Sequence, residues 1–296
     1  MPATDNRRPA RRPTWLGLTL LLGLTALAGW AAWSNWYAQP DPLSTQDRIQ
    51  QLRQANDAFL AGDQQQAVAI YERLLKRAPD DAVAMQRLAA VRMALNQWPQ
   101  ALKLARRLAE SSPTQVVGLT LQGAIHHHAN ERIPAIQAFQ RVLELDPRLE
   151  AMPLSPRYLF WEYLARDLLA EGRTADARAA LKRGLAEGDQ AQLMALMGEA
   201  YLRDGAELDA APWFERAIDL APAHADPWLN LGRIAIHRSQ WADAERFLIR
   251  AAELSPDSVD PIYSLSQVYR RLGRVQEADH LQHRIATLRQ REAGSP

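Results

Sequence analysis

Cysteine is missing from the 296 residues altogether, and with it go disulfides, thiolate catalysis and cysteine-ligated zinc or iron–sulfur sites. An excess of charge of one sign is missing too, since 35 Lys and Arg face 34 Asp and Glu. Nucleic-acid binding needs a concentrated basic face, so no nucleic-acid partner is expected. No glycine-rich phosphate loop, G-x-S-x-G elbow or H-E-x-x-H helix occurs in the chain, which leaves phosphate, nucleophilic and metal chemistry without an owner. The expectation is a protein that is not an enzyme and carries no cofactor or metal. What the chain does have, 47% hydrophobic and 23% charged residues, is the composition of an ordered protein with a substantial core.

The near-zero net charge is unevenly spread. Arg7, Arg8, Arg11 and Arg12 stand against the single Asp5 in residues 1–14, residues 15–37 carry no charge, and the remainder is slightly acidic. From Trp15 to Trp33 the run is long enough, at about 1.5 Å per residue, to cross the hydrocarbon of a bilayer once as a helix. Trp15 at one end and Trp30, Trp33, Trp36 and Tyr37 at the other suit the two headgroup zones. The basic tip lies before the span and the first basic residue after it is Arg48, so the positive-inside rule puts the N-terminus in the cytoplasm and the body outside. In a bacterium this means an inner-membrane, single-pass protein with a periplasmic body. A cleaved signal peptide, with Ala26-Leu27-Ala28 as its processing site, is the competing reading; both readings export the body. The expected organisation is a basic cytoplasmic tip at 1–14, a transmembrane signal anchor at 15–37, a linker at 38–47, a repeat domain at 48–292 and a tail at 293–296.

Prolines recur at Pro79, Pro113 and Pro147 and again at Pro222 and Pro256, with 34 residues between neighbours inside each group. An alanine precedes each by twelve residues, at Ala67, Ala101, Ala135, Ala210 and Ala244, and Ala177 and Ala278 extend the series to seven. The fullest unit has Trp228, Leu231, Gly232, Ala244, Leu248, Ala251 and Pro256; the one before it has Gly198, Tyr201, Ala210, Phe214, Ala217 and Pro222. These residues resemble the tetratricopeptide-repeat (TPR) family, whose 34-residue unit is a helical hairpin with a W-x2-L-G-x2-Y pattern, a central alanine and a closing proline. The resemblance implies an all-α fold, an α-solenoid of about seven hairpins. Small residues let helices A and B approach, and the proline ends helix B. Turns such as Ala61-Gly62-Asp63 and Glu171-Gly172-Arg173 separate A from B. Two departures are expected to matter: an inserted loop near 148–157, in which residues 148–156 read RLEAMPLSP, taken as a hinge, a binding loop or an inert insertion, and a degenerate first helix A with Ile49, Leu52, Ala55 and Phe59.

His126, His127 and His128 form the most tempting chemical cluster, but consecutive helical residues diverge by about 100° and cannot converge on one ion. In the family's frame His126 takes the place of a packed tyrosine. That frame also implies a ligand groove lined by helix A, which would hold Arg87, His127, Glu162, Arg166, Arg203, Asn230, Arg233, Tyr263, Gln267 and Arg270, with Gln86, Thr120, Tyr163, Glu199 and His237 beside them. Its C-terminal part reads as the more basic, suited to an acidic peptide or a terminal carboxylate. Of the family's carboxylate clamp only Asn230 is in place. The layout is similar to anchored TPR subunits of cytochrome c maturation, which implies a membrane-bound scaffold holding a protein or peptide client during envelope assembly. The alternative is a self-associating structural part of a secretion, pilus or polysaccharide-export assembly.

Overall fold

The structure is a computed structural model that describes residues 44–154 and 156–293. The basic tip, the transmembrane helix at 15–37 and residues 294–296 of the tail lie outside the described residues. Among the described residues there are fourteen α-helices and no strand, and none of these helices is long and apolar enough to cross a membrane. The first helix starts at Thr45, inside the expected linker.

The helices form seven hairpins. The described chain divides into two compact units at Asp81/Ala82, and the first unit holds one hairpin, α1 (Thr45–Leu60) and α2 (Gln64–Arg77). Ser44 caps α1 by accepting from the Asp47 N–H at 3.0 Å, which satisfies one of the free donors at a helix start. Arg48 donates to both oxygens of Asp81, from Nε at 2.5 Å and from the terminal nitrogen at 3.0 Å. This two-pronged bond closes the hairpin across its open end. Ile49, one of the departures in this helix A, is 41% exposed, whereas Ala55 is buried.

The second unit holds the other six: α3 (Ala82–Ala94) with α4 (Trp98–Glu110), α5 (Gln115–His128) with α6 (Arg132–Leu145), α7 (Tyr158–Ala170) with α8 (Thr174–Ala186), α9 (Ala191–Arg203) with α10 (Glu207–Leu220), α11 (Ala225–His237) with α12 (Trp241–Leu254), and α13 (Val259–Arg271) with α14 (Val275–Ala293). A single 3-10 turn, Ser112–Thr114, follows α4.

The repeat landmarks carry the structural roles that their chemistry dictates. All seven alanines of the series have zero exposure, because any larger side chain would push the paired helices apart. Four helix B segments end directly before proline, at Ala78, Asp146, Ala221 and Ser255, and those residues have φ between −131° and −142° with ψ of 72–78°. The following pyrrolidine ring excludes the helical basin there. Pro113 sits instead inside the 3-10 turn. Every A-to-B turn is a left-handed cap: Gly62, Asn96, Asn130, Gly172, Gly205, Ser239 and Gly273 all have φ of 55–85°. In each, the next N–H reaches back five residues, as from Asp63 to Ala58 O at 2.9 Å and from Gln240 to Ala235 O at 2.8 Å, which is the six-to-one bond of a Schellman motif.

The inserted loop between α6 and α7 is packed down. Leu149 is 2% exposed within the cluster built around Phe139, Phe160 and Trp161, with Met152 and Leu154 against its edge. Asp146 Oδ2 accepts from the Ala151 N–H at 2.8 Å, and Arg183 donates to Pro147 O at 2.6 Å.

Candidate protein-binding groove

The A helices α3, α5, α7, α9, α11 and α13 carry the residues that the repeat frame assigns to a groove. Successive A helices touch within the second unit, α3 with α5, α5 with α7, α7 with α9 and α11 with α13. Arg87, Arg166, Arg203, Arg233, Tyr263, Gln267 and Arg270 are exposed there, and His127, Glu162 and Asn230 are partly so. Thr120 does not join them. It has zero exposure, and its hydroxyl donates to Val116 O at 2.8 Å, one turn back on its own helix. The rotation of α5 is set by two close approaches: a methyl on Gly118 would meet the Ala109 backbone at 2.3 Å and one on Gly123 the Phe139 ring at 2.5 Å. Thr120 therefore falls on the covered side.

Two open pockets bring some of the expected residues together. One, of about 310 Å³, takes Arg166 from α7, Glu199 from α9 and Asn230 from α11, and adds His224 together with Gln192 and Asp226, two residues that sequence reasoning did not single out. Asn230 lines the pocket, and its amide has no hydrogen-bond partner among the described residues. The second, of about 580 Å³, joins His237 to Gln267 and Arg270 beside Trp241. Arg87 and His127 border neither pocket.

The positive charge expected in the C-terminal half is matched by carboxylates. Arg203 donates to Glu199 at 2.7 Å and to Leu169 O at 3.1 Å. Arg233 donates to Asp260 at 3.0 Å, Arg270 stands 4.0 Å from Asp279, and His237 bonds Glu207 at 2.6 Å. On α7, Glu162 and Arg166 form the same four-residue pair at 2.9 Å. Exposed pairs of this kind are worth little to stability, but they cancel the field that would draw an acidic peptide. The face is polar and balanced rather than basic.

The three consecutive histidines take different partners. His126 bonds Glu131 at 2.5 Å, His127 bonds Asp167 at 2.9 Å, and His128 lies parallel to the Trp98 ring at 6.3 Å between centroids. Burial, and after it the neighbouring His127, push the His128 imidazole below its ordinary pKa. Burial likewise raises the Tyr163 phenol. Among the described residues no group of three His, Asp or Glu side chains is placed to hold a metal ion. Asp167 was not singled out in the sequence; its only signal there is an acid set directly before Leu168 and Leu169 in α7.

Tetratricopeptide-repeat family models match residues 58–125 and 201–260 in one case and 164–225 in another, together more than half of the chain. No curated protein matches it in sequence. Among solved structures, PilW, described as a widely conserved type IV pilus biogenesis factor, superposes with a TM-score of 0.62 at 20% identity, covering 76% of this chain and 99% of its own. PilF of Pseudomonas aeruginosa gives 0.60 at 17% identity, with 72% and 94% covered. A TPR protein from Cytophaga hutchinsonii gives 0.59 at 16%, with 80% and 95% covered. At these identities the likeness is one of fold. The repeat landmarks, the seven hairpins and the family models agree, and the chain belongs to the tetratricopeptide-repeat family, a scaffold for protein–protein interaction.

Proposed function

We propose that this chain is a membrane-tethered, exported scaffold that holds a client protein on its A-helix face while an envelope complex is assembled, and that it performs no chemical turnover. The observation that carries the reading is the pocket spanning α7, α9 and α11, where the unpartnered amide of Asn230 stands beside Arg166 and Glu199, each in an ion pair of its own, and the carboxylate of Asp226. Side-chain amides offer a donor and an acceptor together, the match for an extended peptide backbone. Charge pairing on the same face favours a client chosen by hydrogen bonds and shape over one drawn in by net charge.

The location rests on the uncharged segment 15–37 behind a basic tip, which on this reading anchors the chain in a bacterial inner membrane with the repeats in the periplasm. Cytochrome c maturation and pilus biogenesis are two settings in which such a scaffold would serve. The likeness to PilW, a type IV pilus biogenesis factor, supports the second, and with it the alternative of a self-associating structural part.

The test is site-specific photocrosslinking in cells. A photoreactive residue at Asn230, Tyr263 or Gln267 should capture one distinct protein, and the same residue at Glu215 or Arg250 on the B helices should not. Equal capture from both sets would sink the groove. Capture only of further copies of the chain would establish the self-associating alternative. A C-terminal alkaline phosphatase fusion should be active, and an inactive fusion with an active cytoplasmic reporter would reverse the topology.

A further inference from the structure

Asp167 is an expensive residue where it stands. It lies in the run Leu164-Ala165-Arg166-Asp167-Leu168-Leu169 on α7 and keeps only 4% of its surface exposed. Its Oδ1 accepts from the His127 Nδ1–H at 2.9 Å; its Oδ2 is shut off from solvent and has no hydrogen-bond partner. A buried carboxylate with a bare oxygen destabilises the fold. An orphaned buried polar atom of this kind calls for a partner that the fold itself does not supply.

The surroundings specify which ligand. Tyr163, one turn earlier on α7, stacks on His127 with centroids 4.5 Å apart, and His128 meets both edge-on at 5.2 and 5.3 Å. Aromatic faces attract cations. The other charges nearby cancel, Glu162 against Arg166 at 2.9 Å and Arg132 against Glu171 at 3.7 Å, which leaves Asp167 with His127 alone, a cation only when its imidazole is protonated. His127, in the last turn of α5 with its side chain 17% exposed, is the side-chain donor to Asp167 among the described residues and forms its cover. We infer that Asp167 and Tyr163 form a seat for one arginine or lysine side chain of the client, entered when the His127 ring turns aside. A guanidinium would then bond both carboxylate oxygens side by side. The inference rests on the A-helix face being the binding surface, and it adds the client's chemistry: a basic residue in the segment that crosses α5 and α7.

The probe is a capped, labelled Ser-Gly nonapeptide with one central arginine, compared by fluorescence polarisation with the same peptide carrying neutral citrulline, on the full chain. The arginine peptide should bind about tenfold more tightly, the ratio given by one charged hydrogen-bonding partner. Asp167→Asn should bring the ratio near one while leaving the melting temperature unchanged or higher. Tyr163→Leu, which keeps the carboxylate, should lower the ratio a few-fold. Equal binding of the two peptides, or a ratio that survives Asp167→Asn, overturns the seat. If Asp167→Asn fails to fold, an unaltered ratio in Tyr163→Leu does so alone. The outcome separates from that of crosslinking: a client captured at Asn230 without arginine preference keeps the groove and discards the seat. Arginine preference lost in Asp167→Asn, with no capture on this face, does the reverse.

Discussion

Gly232 lies so close beneath Leu248 that a single methyl on it would meet that side chain at 2.6 Å. The same relation joins Gly198 to Phe214 at 2.7 Å and Gly123 to Phe139 at 2.5 Å, so one contact between helix A and helix B recurs in three hairpins. Gly232→Ala should therefore destabilise by about 1–3 kcal/mol, the usual cost of overpacking a filled core, read as a lower urea midpoint. Gly172→Ala is the control. Nothing lies within 4 Å of its added methyl, and the loss should be only the roughly 1–2 kcal/mol of a left-handed backbone. A Gly232→Ala protein as stable as its parent would show that the hairpin opens without cost.

The seven left-handed turns are filled unequally, with glycine at four, asparagine at two and serine at Ser239, where φ is 57°. Serine has no special tolerance for that basin, while glycine occupies it freely. Ser239→Gly should stabilise the domain by about 0.5–1 kcal/mol, part of the relief being offset by a more flexible unfolded chain. Asn96→Gly and Asn130→Gly should gain less, since asparagine already accepts this geometry. Thermal melts of the three variants give the ranking directly.

These turns also show what was legible in the residues. Steric demands that admit few side chains, such as proline after helix B and alanine at the seam, recur at a fixed period and mark hairpin ends and cores without coordinates. The αL position accepts Gly, Asn or Ser, so its period is blurred, and only Gly62 and Gly172 were picked out. Groove membership was less legible because it depends on helix rotation. Thr120 fell on the covered side through the approach of Gly118 to Ala109, which no periodicity reports. Ion pairs such as Arg233 with Asp260 join residues 27 positions apart, so the arginines read alone as a basic surface. Asp167 needed the fold to reveal that its neighbours exclude water.

The inserted loop invites a hinge reading, yet Leu149 anchors it in the core at 2% exposure. Leu149→Ala should cost about 2–5 kcal/mol, as for other leucines truncated in cores. Amide exchange should then speed up in α6 and α7 before it does in α11 and α12. Exchange confined to the loop itself would mean that the loop is an appendage.

Acid should loosen one junction between hairpins through Asp204. Hydrogen bonds from Thr174, at 2.7 Å, and from Arg178 hold this carboxylate below its ordinary pKa of 3.8. A depressed folded pKa contributes stability that is present above the unfolded value and is lost as pH falls through the folded one. Thr174→Val should therefore be less stable than its parent at neutral pH, and the gap should close as pH falls below the ordinary 3.8 toward the depressed folded pKa. The pair is solvent-exposed, so the gap should be small and should shrink further in high salt. Arg178 also lies over the Tyr201 ring at 5.0 Å, and its loss removes packing as well as charge. Arg178→Met should accordingly keep part of its deficit at acid pH where Thr174→Val keeps none. Urea midpoints across this range separate the two contributions, and a Thr174→Val deficit independent of pH would refute the role given to Asp204.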